Sequence, residues 1–185
     1  MPYETHNFIR IANDTMAFIV RSVVGNIHKS MLLSKEYRKM KAAGKSETMS
    51  LSRADMQRMR LRRKTDAGSD VGIILQPDAW LKDGDVLVFT KEKFVVVRQL
   101  REKVLSVKVS YRDPVGTAEV SALVGHAIGN RHRPIAVKGG TITFPIMADS
   151  ELELFQRLLP VGSVRLKIEE KVFQPSGATI SNHEH

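Results

Sequence analysis

The stretch Val104-Leu-Ser-Val-Lys-Val-Ser110 reads as a strand, and Asp113-Pro114 just after it opens a helix. Aspartate is a strong N-cap, because its carboxylate accepts from a backbone N–H that the first helical turn leaves without a partner. Proline suits the first helical position, where its missing N–H costs nothing. Val115, Ala118, Ala122 and Leu123 supply the expected apolar face of this helix. Gly129 is the expected residue past its end. Working outward, Pro134-Ile-Ala-Val-Lys138 is a strand, Gly139-Gly140 a tight turn and Thr141-Ile-Thr-Phe-Pro145 the returning strand. Ser150 with Glu153 has the spacing of a capping box. Leu152, Leu154, Phe155, Leu158 and Leu159 are the apolar residues of the helix it would start, and Pro160 ends that helix. Val164-Arg-Leu-Lys-Ile168 is the last strand. The order β-α-β-β-α-β predicts a ferredoxin-like domain over residues 103–171. Residues 172–185 lack periodicity and predict a flexible tail ending His183-Glu-His185.

The first half reads differently. Residues 1–15 form a polar, irregular leader. Met16 to Val24 is a strand ended by Gly25-Asn26. Lys29 to Glu47 is charged and reads as a loop or a short exposed helix. Leu61 to Thr65, Asp70 to Leu75, Asp85 to Thr90 and Lys93 to Arg98 are short strands. Asp66-Ala-Gly68 marks a turn, and Lys82-Asp-Gly84 carries a hairpin signal. Strands at such short spacing predict a small all-β domain over residues 16–102. The fold class is therefore α+β, with an N-terminal β domain followed by a ferredoxin-like one.

Composition excludes several chemistries. The chain of 185 residues has no cysteine, which removes disulfides, thiolate metal sites and cysteine nucleophiles. Any metal would rest on histidine, carboxylate, backbone or water. No apolar run approaches the ~20 residues that span a membrane. No secretory signal is evident, so the expected location is cytoplasmic. The net charge of +9 is concentrated: residues 29–64 hold 12 Lys/Arg and 3 Asp/Glu, and the remainder is neutral. That segment suits nucleic acid, an anionic surface or an acidic protein. Beyond Tyr37 no aromatic residue is interleaved with it, which disfavours a base-stacking platform. There is no phosphate-binding glycine loop, and no serine, histidine and acid arrangement stands out. The chain is not expected to be an enzyme.

Two of the six histidines lie in His126-Ala-Ile-Gly-Asn-Arg-His132. They are either a helix-end residue and a polar loop residue, or metal ligands at a helix terminus. A lone imidazole holds a divalent ion weakly, and nothing near His132 completes a ligand set. Two copies of His132 facing each other across a two-fold axis would supply two donors. His183 and His185 in the tail are an auxiliary pair. His6 and His28 read as ordinary polar residues.

The chain resembles the UreE family of urease accessory proteins, which are nickel metallochaperones. The resemblance rests on Leu61-Arg-Arg-Lys-Thr-Asp-Ala-Gly68, Val71-Gly72 and Leu81-Lys-Asp-Gly-Asp-Val-Leu87 in the first half. In the second it rests on Asp113-Pro114, His126 to His132, Pro134 and Phe173-Gln-Pro-Ser-Gly177. It implies a partner- or peptide-binding N-terminal domain, a metal-binding second domain and a homodimer. It implies that His132 binds Ni(II) with its dimer mate, with His126 secondary; Zn(II) and Cu(II) are also expected to bind, since both accept imidazole. It implies delivery to the urease apoprotein complex and its accessory GTPase, with no membrane partner. The region Ala148-Asp-Ser-Glu151 lacks the extra histidines of many members, so few ions per dimer are expected. The alternative from another class is a nucleic-acid-binding module built on Lys29 to Lys64.

Overall fold

The computed structural model describes residues 8–10, 16–110, 113–159 and 162–176. The chain divides into two compact units, Met1–Leu100 and Arg101–His185.

Unit one holds β1 (Phe8–Arg10), β2 (Met16–Val20), β3 (Gly25–Asn26), α1 (Met31–Ala42), β4 (Ser46–Leu51), α2 (Arg53–Met56), β5 (Arg60–Lys64), β6 (Asp70–Ile74), β7 (Asp85–Phe89) and β8 (Phe94–Gln99). They form two four-stranded sheets, ordered β1-β2-β6-β5 and β3-β7-β8-β4. One core cluster joins Phe18, Val20, Leu61, Val71 and Ile73 of the first sheet to Met49, Leu51, Leu87, Val95 and Val97 of the second. A separate cluster packs Leu33 and Met40 of α1 with Val86, Phe94 and Val96. The strand Phe94-Val-Val-Val97 is thus buried on both faces, which is why it is apolar without alternation.

Several expectations need correction here. The unit is mixed rather than all-β. Leu33, Tyr37 and Met40 recur at helical spacing beneath the charges of Lys35, Arg38, Lys39 and Lys41. Ser30 caps that helix by accepting from the Leu33 N–H at 3.3 Å. The leader is not wholly irregular, since β1 pairs antiparallel with β2. The strand from Met16 stops at Val20, and Gly25-Asn26 is itself a strand paired with β7. The Lys82-Asp-Gly84 turn has its left-handed glycine (φ 82°) but joins no hairpin, because β6 and β7 lie in different sheets. A Cβ on Gly84 would sit 2.3 Å from the His28 ring, which pairs with Asp83 at 2.9 Å. The basic segment runs through α1, β4, α2 and β5, and Arg62 and Arg63 pair with Asp70 and Asp55.

A partly buried ion pair links β4 to the residue just before β8. Glu47 receives Lys93 and the Thr65 hydroxyl, the latter at 2.6 Å. Burial pushes its carboxyl up, but the bonds from Lys93, Thr65 and Ser69 outweigh burial and hold it below its ordinary 4.5. A lowered folded pKa favours folding above the unfolded value and loses that contribution as pH falls through the folded one. Glu47→Gln is therefore expected to lower Tm at neutral pH, with the gap to wild type closing well below pH 4.5. Thermal melts across that range read the difference directly, and a gap independent of pH would refute the assignment.

Unit two holds β9 (Glu102–Val109), α3 (Pro114–Gly129), β10 (Ala136–Lys138), β11 (Thr141–Pro145), α4 (Glu151–Leu158) and β12 (Val164–Lys171). Its sheet has the order β10-β11-β9-β12 with every pair antiparallel. Leu105, Val107, Ile142 and Phe144 of the sheet meet Val120, Val124 and Ile128 of α3 and Phe155 of α4 in one core. The helices therefore cover one sheet face. Ser106 and Lys108 alternate with Leu105 and Val107 and point to the other.

The Asp113 cap forms as expected, its carboxylate accepting from the Gly116 N–H at 2.8 Å. Both Gly139 and Gly140 adopt positive φ in the β10–β11 turn. The apolar face of α3 is a correction. Gly116, Val120, Val124 and Ile128 are buried, while Val115 and Leu123 stay 69% and 57% exposed, and Ala118 and Ala122 are also exposed. The Ser150–Glu153 capping box is absent: Ser150 makes no side-chain cap bond. Glu151 instead accepts from the N–H groups of Met147 and Ala148 in the loop before α4. Leu154 and Leu158 are exposed, leaving Phe155 and Leu159 as the buried residues there.

The tail begins later than expected. Phe173 is 2% exposed, and the Ser176 N–H donates to the Ile135 carbonyl at 2.7 Å while the Ser176 hydroxyl accepts from the Val137 N–H. Residues 172–176 thus run from the β12 edge of the sheet to β10 at the opposite edge. An aromatic anchor and a two-bond tie hold a segment that periodicity alone cannot detect. Among the described residues no helix is long and apolar enough to cross a membrane.

Candidate metal centre

Helix α3 ends in a turn that carries His132. Gly129 is its last helical residue rather than the one past the end, and Asn130 is the C-cap. The left-handed position falls instead on His132, with φ 53°. Its N–H donates to the Gly129 carbonyl at 2.8 Å. A non-glycine residue tolerates this conformation only at a cost, although histidine is among the types found there more often.

Two arginines pin the chain on either side. Arg131 donates to the Ala127 carbonyl at 3.1 Å and lies over the Phe155 ring, 5.5 Å from its centroid. Arg133 donates to Glu151 Oε2 at 3.0 Å in an ion pair that is mostly buried on both sides. Glu151 in turn holds the loop before α4. The flanking side chains are drawn onto α3 and α4, and the His132 side chain between them is exposed to solvent. Arg131, Arg133 and Glu151 are the residues that sequence reasoning missed. The alternation Arg-His-Arg was visible, but its acid partner lies 18 positions away.

His126 is one helical turn back from the end. Its Nε2 lies 2.9 Å from the Asn130 amide nitrogen, on the exposed side of α3. His28 belongs to unit one and is paired with Asp83. His183 and His185 lie outside the described residues, as does His6. Among the described residues no group of three or more His, Cys, Asp or Glu side chains converges as a metal cage. Among the described residues, His132 is the exposed imidazole carried on this turn, with His126 also exposed one helical turn back. A lone imidazole holds a divalent ion weakly, so an ion at His132 would need further donors.

Comparison with known proteins places the chain in a family. The profile of the UreE urease accessory protein N-terminal domain matches residues 20–100. The urease accessory protein UreE of Natronomonas pharaonis is 34% identical over 134 residues, 72% of this chain and 61% of that relative's length. Urease accessory protein UreE 1 of Pseudomonas syringae pv. tomato is 33% identical over 126 residues, 66% of this chain and 82% of the relative. The Actinomyces naeslundii UreE is 33% identical over 128 residues, 69% of this chain and 71% of the relative. The chain belongs to the UreE family of urease accessory proteins, and it is an accessory factor rather than an enzyme.

Proposed function

We propose that the chain carries nickel for urease maturation, holding Ni(II) between the His132 side chains of two copies. The observation that carries the proposal is His132 itself: an exposed imidazole at a left-handed turn, fixed between two anchored arginines, in a UreE chain. A two-fold interface brings identical residues together, so one donor per chain becomes two per ion. The outward face of α3, with Val115 and Leu123 exposed, supplies apolar surface for such a homodimer. His126 lies on the exposed side of that helix and is the secondary donor. His183 and His185 are auxiliary ligands, and the tie of Ser176 to Ile135 supports that role because it roots the tail three residues from His132. Zn(II) and Cu(II) also accept imidazole, so binding alone does not single out nickel.

We read unit two as ferredoxin-like, on its β-α-β-β-α-β order and antiparallel sheet. Unit one is read as the partner- or peptide-binding domain. The carrier passes its ion, in the cytoplasm, to the urease apoprotein complex and its accessory GTPase.

Calorimetric titration with nickel, paired with a mass measurement, tests this. One high-affinity ion per two chains in a dimer is expected, with affinity falling on acidification because protons compete with the ion for imidazole. A tight site filled once per chain in a monomer would refute the shared-ion reading.

A further inference from the structure

The helix-free face of the unit-two sheet carries a charge pattern that nickel binding does not use. Across the four strands, Lys138 stands opposite Thr141, Thr141 opposite Lys108, and Lys108 opposite Arg165. Three cations thus share one cross-strand row about 14 Å wide, at ~4.8 Å per strand. Lys108 and Arg165 are direct neighbours, and like charges directly opposite each other destabilise a sheet. Among the described residues none of the three has an ion pair or a side-chain hydrogen bond. In the same face Lys167 and Lys171 are satisfied by Glu169, at 2.9 Å and 3.2 Å. Glu169 also accepts from Ser106, and these bonds, Lys167's first, hold its carboxyl at about 2. Glu169, the acid that lines the groove, is thereby committed, and the row of three keeps its excess positive charge.

The three cations are exposed to solvent, and the row borders an open concavity. It lines a groove of about 780 Å³, bounded at one side by Val172, Phe173 and Gln174 where the chain folds back across the sheet. Val172 is 42% exposed and offers an apolar contact there. Phe173 is the one aromatic residue lining the groove, and it is buried, so no exposed ring is present on which a base could stack.

We propose that this groove docks an extended acidic segment of a protein partner, with carboxylates over Lys138, Lys108 and Arg165 and an apolar side chain against Val172. Charge complementarity identifies the occupant. Carboxylates would relieve the Lys108–Arg165 repulsion, and Thr141 adds a hydroxyl donor between the cations. The proposal does not depend on the nickel reading, because no residue of the row is in the His132 turn.

The test uses the full chain and a fluorescein-labelled peptide alternating glutamate and valine, followed by anisotropy. Wild type is expected to bind it, with affinity that falls steeply as salt rises. The pair Lys108→Glu with Arg165→Glu is expected to lose at least about tenfold in affinity. The pair Lys35→Glu with Arg38→Glu, on α1, is expected to bind as wild type does. Arg165→Glu alone gives a second readout of opposite sign. It places an acid opposite Lys108, so Tm is expected to rise by about 1–4 °C while peptide affinity drops. Nickel titration of these variants should match wild type. No peptide binding, equal losses in the α1 pair, or a fall in Tm for Arg165→Glu would each overturn the proposal. So would single-stranded or duplex DNA binding more tightly than the peptide and depending on Lys108 and Arg165, which would make the groove a nucleic-acid site.

Discussion

Replacing His132 by alanine is expected to weaken nickel binding by more than the roughly 10–100-fold typical of losing a group that only orients a ligand. The reason is arithmetic of donors. If two chains share one ion, a single substitution removes two imidazoles from the dimer. The fold should barely notice. The His132 ring is exposed, and its one hydrogen bond in the turn is made by the backbone N–H, which alanine keeps. The left-handed backbone suits alanine somewhat less well than histidine, so a small loss of stability is expected. Calorimetry with nickel, alongside a thermal melt, separates the two effects. Tight binding retained at unchanged stoichiometry would remove His132 from the site. Arg133→Ala makes a useful partner experiment, since it leaves the imidazole in place but frees the turn from Glu151.

Phe155→Ala is expected to destabilise unit two by about 3–5 kcal/mol, the range for emptying a buried aromatic site. Phe155 and Phe144 are both fully buried, with ring centroids 4.6 Å apart and planes tilted by 59°. Truncation forfeits burial and the aromatic contact, which adds ~0.5–1.5 kcal/mol beyond area. In a unit of this size the loss should lower its Tm by more than about 10 °C. The ring also seats Arg131, so the His132 turn should loosen before the unit melts. Phe155→Leu keeps most of the volume and should recover most of the loss. Scanning calorimetry that shows less than ~1 kcal/mol for the alanine variant would mean the core closes over the gap.

How much of this was legible in the chain depends on the range of the interaction that decides it. The Asp113-Pro114 helix start and the Gly139-Gly140 turn were readable because both are fixed within four residues. The buried face of α3 was not. The helix is apolar nearly all round, and Val115, Ala118, Ala122 and Leu123 compete with Gly116, Val120, Val124 and Ile128 at equally good spacing. Packing against Leu105, Val107 and Phe144 settles the choice, and that contact is not local. Helix α1 was hidden for another reason. Its basic residues dominate the composition, while two buried residues, Leu33 and Met40, and the partly buried Tyr37 do the packing. Around His132 the histidine was visible but its scaffold was not, because Arg133 meets Glu151 across the unit. The row Lys138, Lys108 and Arg165 exists only once the strand register is known, since those residues are scattered along the chain.

The tie between Ser176 and Ile135 acts as a tether with a calculable reach. His183 is seven positions beyond Ser176, so even fully extended it stays within roughly 25 Å of that anchor. Confinement of this kind gives a local concentration on the order of millimolar or above, whatever the concentration of the protein. If His183 and His185 are ligands as proposed, two imidazoles presented that way would need little intrinsic affinity to catch an ion leaving His132. Their contribution is set by the length of chain between Ser176 and His183, and it would be the first thing altered by an insertion there.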